Sequence, residues 1–465
     1  MSFKVGGQEV PLRTVLLFAS EGLLILLVLL ATLLVFPFLL RPPNHQLSWR
    51  DFLQVSVIAL VCEVCLYYRD AYTSRVSREF SFAFVSLLEA FGISCLLTAG
   101  LYCMFPRLVA NNWLAAMAVP LTVVLICSWR LLLDRAGVNK RRSERAVVLG
   151  TGPVGIAAVR EVCSRPELNL EVVGFLDSDP KNVGKPLVNP GIVATIDDLE
   201  AIVDRHKVQR VIIAPTEQQA VPVSRLLRLK FAGIVLEDAG ALLERITGRI
   251  AVHSEPEPRW LMLSEGFRQT RLSLAIKRCA DVLGASVLLV LSLPLMVLIA
   301  VAIGCETGFP ILFWQKRAGL NGKPFNMAKF RSMVRDAERK GPSWTTNHDL
   351  RITRVGRFIR KYRLDELPQF WNVIRGEMSL VGPRPEQPYF CELLERQIPF
   401  FEERHKVRPG ITGWAQIKYQ YAGSVDDAKR KLEFDMFYIK HPSLLLDVVI
   451  LLETVKVILL ARGSK

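Results

Sequence analysis

The sequence predicts a membrane protein of mixed class, α-helical in part and α/β in part. It comprises a four-helix transmembrane bundle, a Rossmann-like α/β middle domain, and a C-terminal membrane-associated domain with a re-entrant helix. Three observations predict this. Hydrophobic residues make up 51% of the 465 positions and mean hydropathy is +0.28, high for a soluble chain. Four apolar stretches open the chain, each near the ~20 residues that a helix needs to cross the hydrocarbon core. Behind them, strands alternate with helical segments after a glycine-rich turn, the pattern of a parallel sheet. The boundaries read as 1–140, 141–265 and 270–465, with the re-entrant helix at 272–304.

The apolar stretches are Thr14–Leu40, Phe52–Tyr68, Phe82–Phe105 and Trp113–Leu133. The first is too long for a signal-peptide core and lacks a small-residue cleavage site, so it is expected to stay as an anchor. Arg69, Arg75 and Arg78 separate the second and third stretches, and Arg135, Lys140, Arg141, Arg142 and Arg145 follow the fourth. Between the third and fourth stands only Arg107. The positive-inside rule then places both ends of the bundle in the cytoplasm. Glu21, Glu63 and Glu89 fall inside the stretches, where carboxylates are costly. A polar path, a lipid-headgroup site or paired helix contacts would each account for them. The nine cysteines are scattered, five of them in the first apolar region, and read as small buried hydrophobes. A net charge of +15 on so apolar a chain points to an anionic membrane surface or phosphate-bearing substrates. Nucleic acid is not expected, because no base-reading motif interleaves aromatic and basic residues.

In the middle block, Ala146–Leu149 reads as a buried strand and is followed by Gly150-Thr-Gly152-Pro-Val-Gly155 and a helical pattern. A second strand, Leu170–Leu176, ends at Asp177, and a third covers Val211–Ala214. That glycine spacing suits a tight turn bringing backbone N–H groups and a helix N-terminus against a phosphate. Gly150, Gly152, Gly155 and Asp177 are therefore candidate nucleotide-binding residues. A nucleotide fold kept as a scaffold or dimerisation module explains the same residues.

The third block opens with the apolar segment Leu272–Gly304, which carries Lys277, Arg278 and Asp281 near its start and Pro294 in its middle. Both flanks are basic: Arg271, Lys277 and Arg278 before, Lys316, Arg317 and Lys323 after. A proline inside a helix removes a hydrogen bond and bends it. A helix that dips in, breaks at Ser292-Leu293-Pro294 and returns to the same face reconciles the proline with the charges. An ordinary fifth span with a kink is the alternative. Further on, Leu444–Leu460 contains Asp447, Glu453 and Lys456 and reads as an amphipathic helix lying in the interface.

Chemistry is densest between these two helices. Lys329-Phe-Arg331 is followed by Arg351, Arg354, Arg357, Arg360, Lys361 and Arg363, then by Leu364-Asp365-Glu366-Leu-Pro368-Gln369 and by Gly382-Pro-Arg384-Pro385. So many cations around one acidic pair suit phosphate-rich substrates. Asp365 stands before a proline-started helical pattern and reads as a helix N-cap, a place that favours negative charge. Neighbouring helical residues point in different directions, so one carboxylate suits attack on phosphorus and the other a divalent cation. A plain capping aspartate beside a solvated basic face accounts for the same pattern.

From about Arg271 onward the chain resembles the bacterial sugar transferases, the monotopic polyprenyl-phosphate phosphoglycosyl transferases. The matching pieces are Lys277-Arg278-Cys-Ala-Asp281, the proline-broken helix, Phe313–Gly319, Lys329–Met333, Leu364–Gln369, Gly382–Pro385 and Arg408–Trp414. The whole architecture resembles the family's long form, which initiates exopolysaccharide or O-antigen synthesis. One departure is Leu293 before Pro294, where family members often have serine; Ser292 lies one place earlier. The resemblance implies attack by Asp365 on the sugar-bearing phosphorus of a UDP-sugar, release of UMP, and transfer of the phosphosugar to polyprenyl phosphate. It also implies Mg²⁺ held by Glu366, phosphate binding by Arg360, Arg384 and Lys329, and a homodimer facing the cytoplasm of a bacterial inner membrane. A nucleotide-sugar dehydratase or epimerase would need a Tyr-x-x-x-Lys pair, and the chain has none. A non-enzymatic scaffold or sensor would leave the arginine–Asp-Glu block without a role.

Overall fold

The computed structural model describes residues 2–5, 8–40, 49–68, 80–104, 112–135, 143–215, 221–251, 266–267, 270–334, 351–419 and 424–459. They form two compact units: the N-terminal helices make one, and the middle and C-terminal domains together make the other. Arg69, Arg75, Arg78, Phe105, Arg107, Lys140, Arg141 and Arg142, used above for topology, lie outside the described residues.

A two-stranded ribbon, β1 (Ser2–Val5) with β2 (Gln8–Pro11), precedes the helices α1 (Leu12–Leu40), α2 (Trp49–Tyr68), α3 (Phe80–Met104) and α4 (Asn112–Arg135). Each helix packs on the next, and α4 closes against α1. The shared core includes Ile25, Val55, Leu66, Leu87 and Ile126. Cys62 and Cys65, a Cys-x-x-Cys pair on α2, are buried within it as small apolar side chains. Glu21 is fully buried and accepts a two-pronged hydrogen bond from Arg130 on α4, Nε at 2.7 Å and Nη2 at 2.8 Å. That pairing explains a carboxylate inside an apolar helix, since each charge is met where water is excluded. Glu63 is buried beside Gly22, whereas Glu89 is exposed.

The middle domain holds a five-stranded sheet of β3 (Glu144–Leu149), β4 (Leu170–Asp177), β5 (Ile192–Thr195), β6 (Arg210–Ile213) and β7 (Val235–Asp238). The order is β5-β4-β3-β6-β7, with β3–β6, β4–β5 and β6–β7 parallel. Helices α5 (Pro153–Ser164), α6 (Leu199–His206), α7 (Val223–Phe231) and α8 (Ala239–Thr247) complete the Rossmann-like winding. The three strands expected from sequence are present. β5 and β7, four residues each and only partly buried, were not anticipated.

Chain packing accounts for the glycine turn. Gly150 adopts φ +97° directly after β3, a conformation open to glycine. A Cβ on Gly155 would meet the Ala214 Cβ at 2.4 Å, so its absence lets α5 seat on the end of β6. The Gly152 N–H donates to the Ala214 carbonyl at 3.1 Å. Asp177 accepts from Asn182 Nδ2 at 2.9 Å and thereby organises its own loop.

The C-terminal domain begins with α9 (Arg271–Thr307), capped by Thr270, whose hydroxyl accepts from the Ser273 N–H. Among the described residues α9 is the one helix long and apolar enough to cross a membrane, with mean hydropathy 2.8. The helix runs unbroken through Pro294, so the expected interruption at Ser292–Pro294 is absent as a gap. One missing backbone hydrogen bond does not end a helix when neighbouring turns hold it, and Ser292 Oγ bonds the Leu289 carbonyl at 3.2 Å. At 37 residues α9 would be about 55 Å long if straight.

The remainder comprises the antiparallel hairpin β8 (Leu312–Ala318) and β9 (Pro324–Phe330), then α10 (Arg354–Lys361) and α11 (Gln369–Arg375). Next come β10 (Ser379–Val381), α12 (Pro388–Glu395), β11 (Gly410–Thr412), α13 (Trp414–Lys418), α14 (Val425–Lys440) and α15 (Leu444–Leu459). Strands β10 and β11 pair in parallel. Their core joins Ala285 of α9 to Val373, Leu380, Phe401, Trp414 and Phe437. The middle domain seats on α14 through Arg249–Glu433 at 2.9 Å and Glu244–Lys440 at 2.7 Å, and Trp414 Nε1 donates to the Gly248 carbonyl. On α15 the polar residues Asp447 and Lys456 are buried while Leu444, Leu445, Val448, Leu452 and Val455 are exposed. Outward apolar and inward polar residues suit a helix lying against lipid.

Candidate active site

The site is assembled where α10 gives way to α11. Arg363 takes φ +54°, uncommon for a residue with a Cβ, and turns the chain out of α10 into the single 3-10 turn Leu364–Glu366. Asp365 therefore lies inside that turn and is not the helix cap expected from sequence; Pro368 flanks α11 instead. The Asp365 carboxylate makes no hydrogen bond to a described residue, which leaves it available to a substrate.

Glu366 is buried and accepts from Arg384 Nη2 at 2.8 Å, with Arg363 Nη1 at 3.8 Å from its other oxygen. Arg384 stands on the loop after β10. Gly382 brings that loop close to β11, for a Cβ there would meet the Arg408 carbonyl at 2.4 Å. Lys329 arrives from β9. Asn372 of α11 fixes that strand by accepting from the Ala328 N–H at 3.0 Å and donating to the Asn326 carbonyl at 2.8 Å. Arg360, in the last turn of α10, has no ion-pair partner among the described residues and acts on Asp365 through its charge.

Electrostatics separate the two carboxyls. Burial and the neighbouring Glu366 charge push Asp365 up to about 6, against the pull of Lys329, Arg360 and Arg384. Burial also opposes ionisation of Glu366, but Arg384, Lys329 and Arg363 outweigh it and hold that group down at about 2. Burial and Arg384 lower Lys329 to about 8. Adjacent carboxyls driven apart in this way mark a division of roles. Glu366 is a fixed anion, and Asp365 is a carboxylate poised to gain or lose charge near neutrality.

Four contacts position this cluster. Asp281 on α9 is buried and accepts from Ser379 Oγ at 2.8 Å and the Leu380 N–H at 3.1 Å, fixing β10. Arg278 donates to the Val373 and Ile374 carbonyls and so closes the C-terminal end of α11. Lys277 pairs with Asp447 of α15 at 2.7 Å. At the other end of α9, Glu306 accepts the Arg354 and Val355 N–H groups at the start of α10, at 2.8 and 3.1 Å. Both ends of the apolar helix thus hold the elements that carry the site.

Lys329, Arg360, Asp365, Glu366 and Arg384 lie near one another in the structure. Gly150, Gly152, Gly155 and Asp177 belong to the separate Rossmann-like sheet, and Ser292 and Pro294 to the middle of α9. Arg363 was only one of a basic run in the sequence, yet it shapes the turn and pairs with Glu366. Asn372 was missed, although it lies seven residues after Asp365 in the same motif region.

Residues 272–461 match the family described as bacterial sugar transferase, and residues 68–228 match one described as a CoA-binding domain. The UDP-N-acetylgalactosamine-undecaprenyl-phosphate N-acetylgalactosaminephosphotransferase of Aeromonas hydrophila is 42% identical over 240 residues, 52% of this chain and 56% of that protein. The undecaprenyl-phosphate glucose phosphotransferase of Komagataeibacter xylinus is 33% identical over 364 residues, covering 76% of this chain and 66% of its own length. The chain thus spans between half and two thirds of the length of these two relatives. The UDP-glucose:undecaprenyl-phosphate glucose-1-phosphate transferase of Klebsiella pneumoniae is 31% identical over 406 residues, 83% of this chain and 84% of that protein. With that span of alignment and this site, the chain belongs to the bacterial sugar transferases, a family of phosphoglycosyl transferases, in its long form.

Proposed function

We propose that the protein transfers a sugar-1-phosphate from a UDP-sugar to undecaprenyl phosphate at the cytoplasmic face of a bacterial membrane, as a first membrane step of exopolysaccharide or O-antigen synthesis. The observation that carries this reading is the pair of adjacent carboxylates Asp365 and Glu366 ringed by Lys329, Arg360, Arg363 and Arg384, with Arg384 2.8 Å from Glu366. In the first step an Asp365 carboxylate oxygen bonds to the phosphorus bearing the sugar, the bond to the bridging diphosphate oxygen breaks, and UMP leaves with that oxygen. In the second, a phosphate oxygen of the lipid attacks the aspartyl phosphosugar and returns the Asp365 carboxylate. Splitting one displacement into two is the gain of covalent catalysis. Lys329, Arg360 and Arg384 hold the phosphoryl oxygens as charge shifts onto UMP.

The donor set fits Mg²⁺. No group of three or more metal-binding side chains occurs among the described residues. Mg²⁺ commonly takes one or two carboxylates and completes its shell with substrate phosphates and water. Glu366, with Asp365 beside it, would hold the ion, which when bound neutralises diphosphate charge.

Anchoring of both ends of α9 on one domain supports re-entry into the membrane. Asp281 and Ala285 near its start and Ile299 and Ile303 near its end are buried against that domain, whereas Leu283, Val287, Val290, Leu291, Leu293 and Val297 between them are exposed. A straight span of the bilayer would put those anchors on opposite sides of the membrane. Helices α1–α4 are read as four spans beside the re-entrant α9, which makes the protein multi-pass, and we propose assembly as a homodimer.

The test is UMP release by nanodisc-held protein given undecaprenyl phosphate, Mg²⁺ and a panel that includes UDP-glucose and UDP-N-acetylgalactosamine. Release matched by labelled lipid is the expected result. Labelled lipid formed with UDP as the released product would reject the reaction written here.

Asp365 and Lys329 limit the rate from opposite sides of neutrality. Asp365 must be ionised to attack, so kcat/KM should fall about tenfold per unit below about pH 6. Lys329 must be protonated to hold phosphate, so a second fall is expected above about pH 8. Lys329→Arg should move the alkaline limb upward and leave the acid limb in place, which initial rates from pH 5 to 9 will show. A flat profile across that range would remove both assignments.

A further inference from the structure

Arg384 must meet Glu366 and the diphosphate at a fixed place, yet it stands on irregular chain between β10 and α12. Backbone bonds at 2.9 Å tie Gly382 to Thr412 and Pro383 to Gly410 at its start, and three further attachments hold that chain beyond them. Arg317 Nη1 donates to the Pro385 carbonyl at 3.1 Å, and the Ala318 N–H donates to the Glu386 carbonyl at 2.9 Å. The third acts on Arg384 itself: Arg404 Nη2 donates to the Arg384 carbonyl at 2.9 Å and to Asp435 Oδ2 at 2.8 Å. The Arg404 and Asp435 side chains are 6% and 2% exposed. Asp435 projects from α14, in a stretch where every residue from Leu432 to Lys440 is buried. Arg404 also lies over the Phe401 ring, 5.0 Å from its centre.

A buried ion pair contributes little net stability, because desolvation offsets most of the attraction. An apolar pair of similar size would fill the same space at least as well. What an apolar pair cannot do is donate to the Arg384 carbonyl. We propose that Arg404 and Asp435 are positioning residues for sugar-phosphate transfer: Asp435 orients the Arg404 guanidinium, and Arg404 fixes the backbone from which Arg384 reaches the site. This rests on the reading of Arg384 as a phosphate-binding residue. The same helix, α14, also seats the middle domain through Glu433 and Lys440, so one rigid element serves both the docking and the site.

The test uses the full chain in nanodiscs with whichever UDP-sugar the wild type turns over. Arg404→Met combined with Asp435→Leu removes both charges together and leaves none buried alone. The variant should still unfold in one cooperative transition, lowered only by the lost bond to the Arg384 carbonyl, while kcat falls about 30-fold and KM for the donor moves less than about threefold. Arg404→Lys, which cannot meet Asp435 and the carbonyl with one planar group, should not restore kcat. In an Arg384→Met background, where no cation is left for the backbone to position, the Met/Leu pair should cause no further loss. A folded Met/Leu variant with wild-type kcat, or losses that multiply in the Arg384→Met background, would overturn the positioning role. Wild type lacking turnover with every donor would instead overturn the transfer reading, and this role with it.

Discussion

Asp365→Asn should reduce UMP release by about 10⁴-fold or more, because removing a covalent nucleophile abolishes the path that depends on it. Asparagine is nearly isosteric and neutral, so the loss should occur without disorder in the turn. A stability change of opposite sign is expected alongside. Burial and Glu366 raise the Asp365 pKa in the folded protein, so its ionised form costs stability above about pH 6. Asparagine removes that cost, and the unfolding midpoint at neutral pH should rise, by about 2–4 °C for each kcal/mol relieved. Below the ordinary aspartate range both forms are neutral and the difference should vanish. Thermal unfolding at pH 7.5 and pH 4, set beside UMP release, checks both parts. Turnover by the asparagine variant at a tenth of the wild-type rate would remove Asp365 from the role of nucleophile.

How far the site was legible from sequence depends on whether its determinants are local. The Asp-Glu pair, its arginines and Lys329 announced themselves by density, since unlike residue types in a short order are seldom brought together by composition alone. The shape of the turn did not. Proline at 368 marks the start of a helix, but nothing marks Arg363 as a residue that will accept a positive φ, and that choice moves Asp365 from a cap into a turn. Longer-range partners were hidden for another reason. The partners of Asp281 lie nearly a hundred residues away, and Arg404 and Asp435 look like ordinary surface charges until the chain is folded. The main lines of the fold were legible because hydropathy and the 3.6-residue period are local. The unbroken course of α9 through Pro294 was not, because a proline removes one hydrogen bond and the surrounding packing decides whether the helix continues.

Arg384→Met should remove activity and stability together, by different routes. The activity loss, expected at about 10³-fold, follows from withdrawing a cation from the phosphoryl oxygens. The stability loss comes from Glu366, left buried and ionised without its 2.8 Å partner. Removing one member of a buried pair typically costs about 3–5 kcal/mol; with the Arg384 side chain 36% exposed the expected cost is about 2–4 kcal/mol. Linkage gives the direction with pH. Glu366 is held below its unfolded value by Arg384, Lys329 and Arg363 despite burial, so its contribution is present above the ordinary glutamate range and is lost as pH falls toward about 2. In the variant that contribution disappears, and stability relative to wild type should recover as acid protonates the glutamate. Adding Glu366→Gln to Arg384→Met should restore the unfolding midpoint at pH 7 while leaving UMP release low. Stability and catalysis would then be separated within one ion pair. If the double variant instead stays as unstable as the single, Arg384 stabilises the domain through something other than its pairing with Glu366.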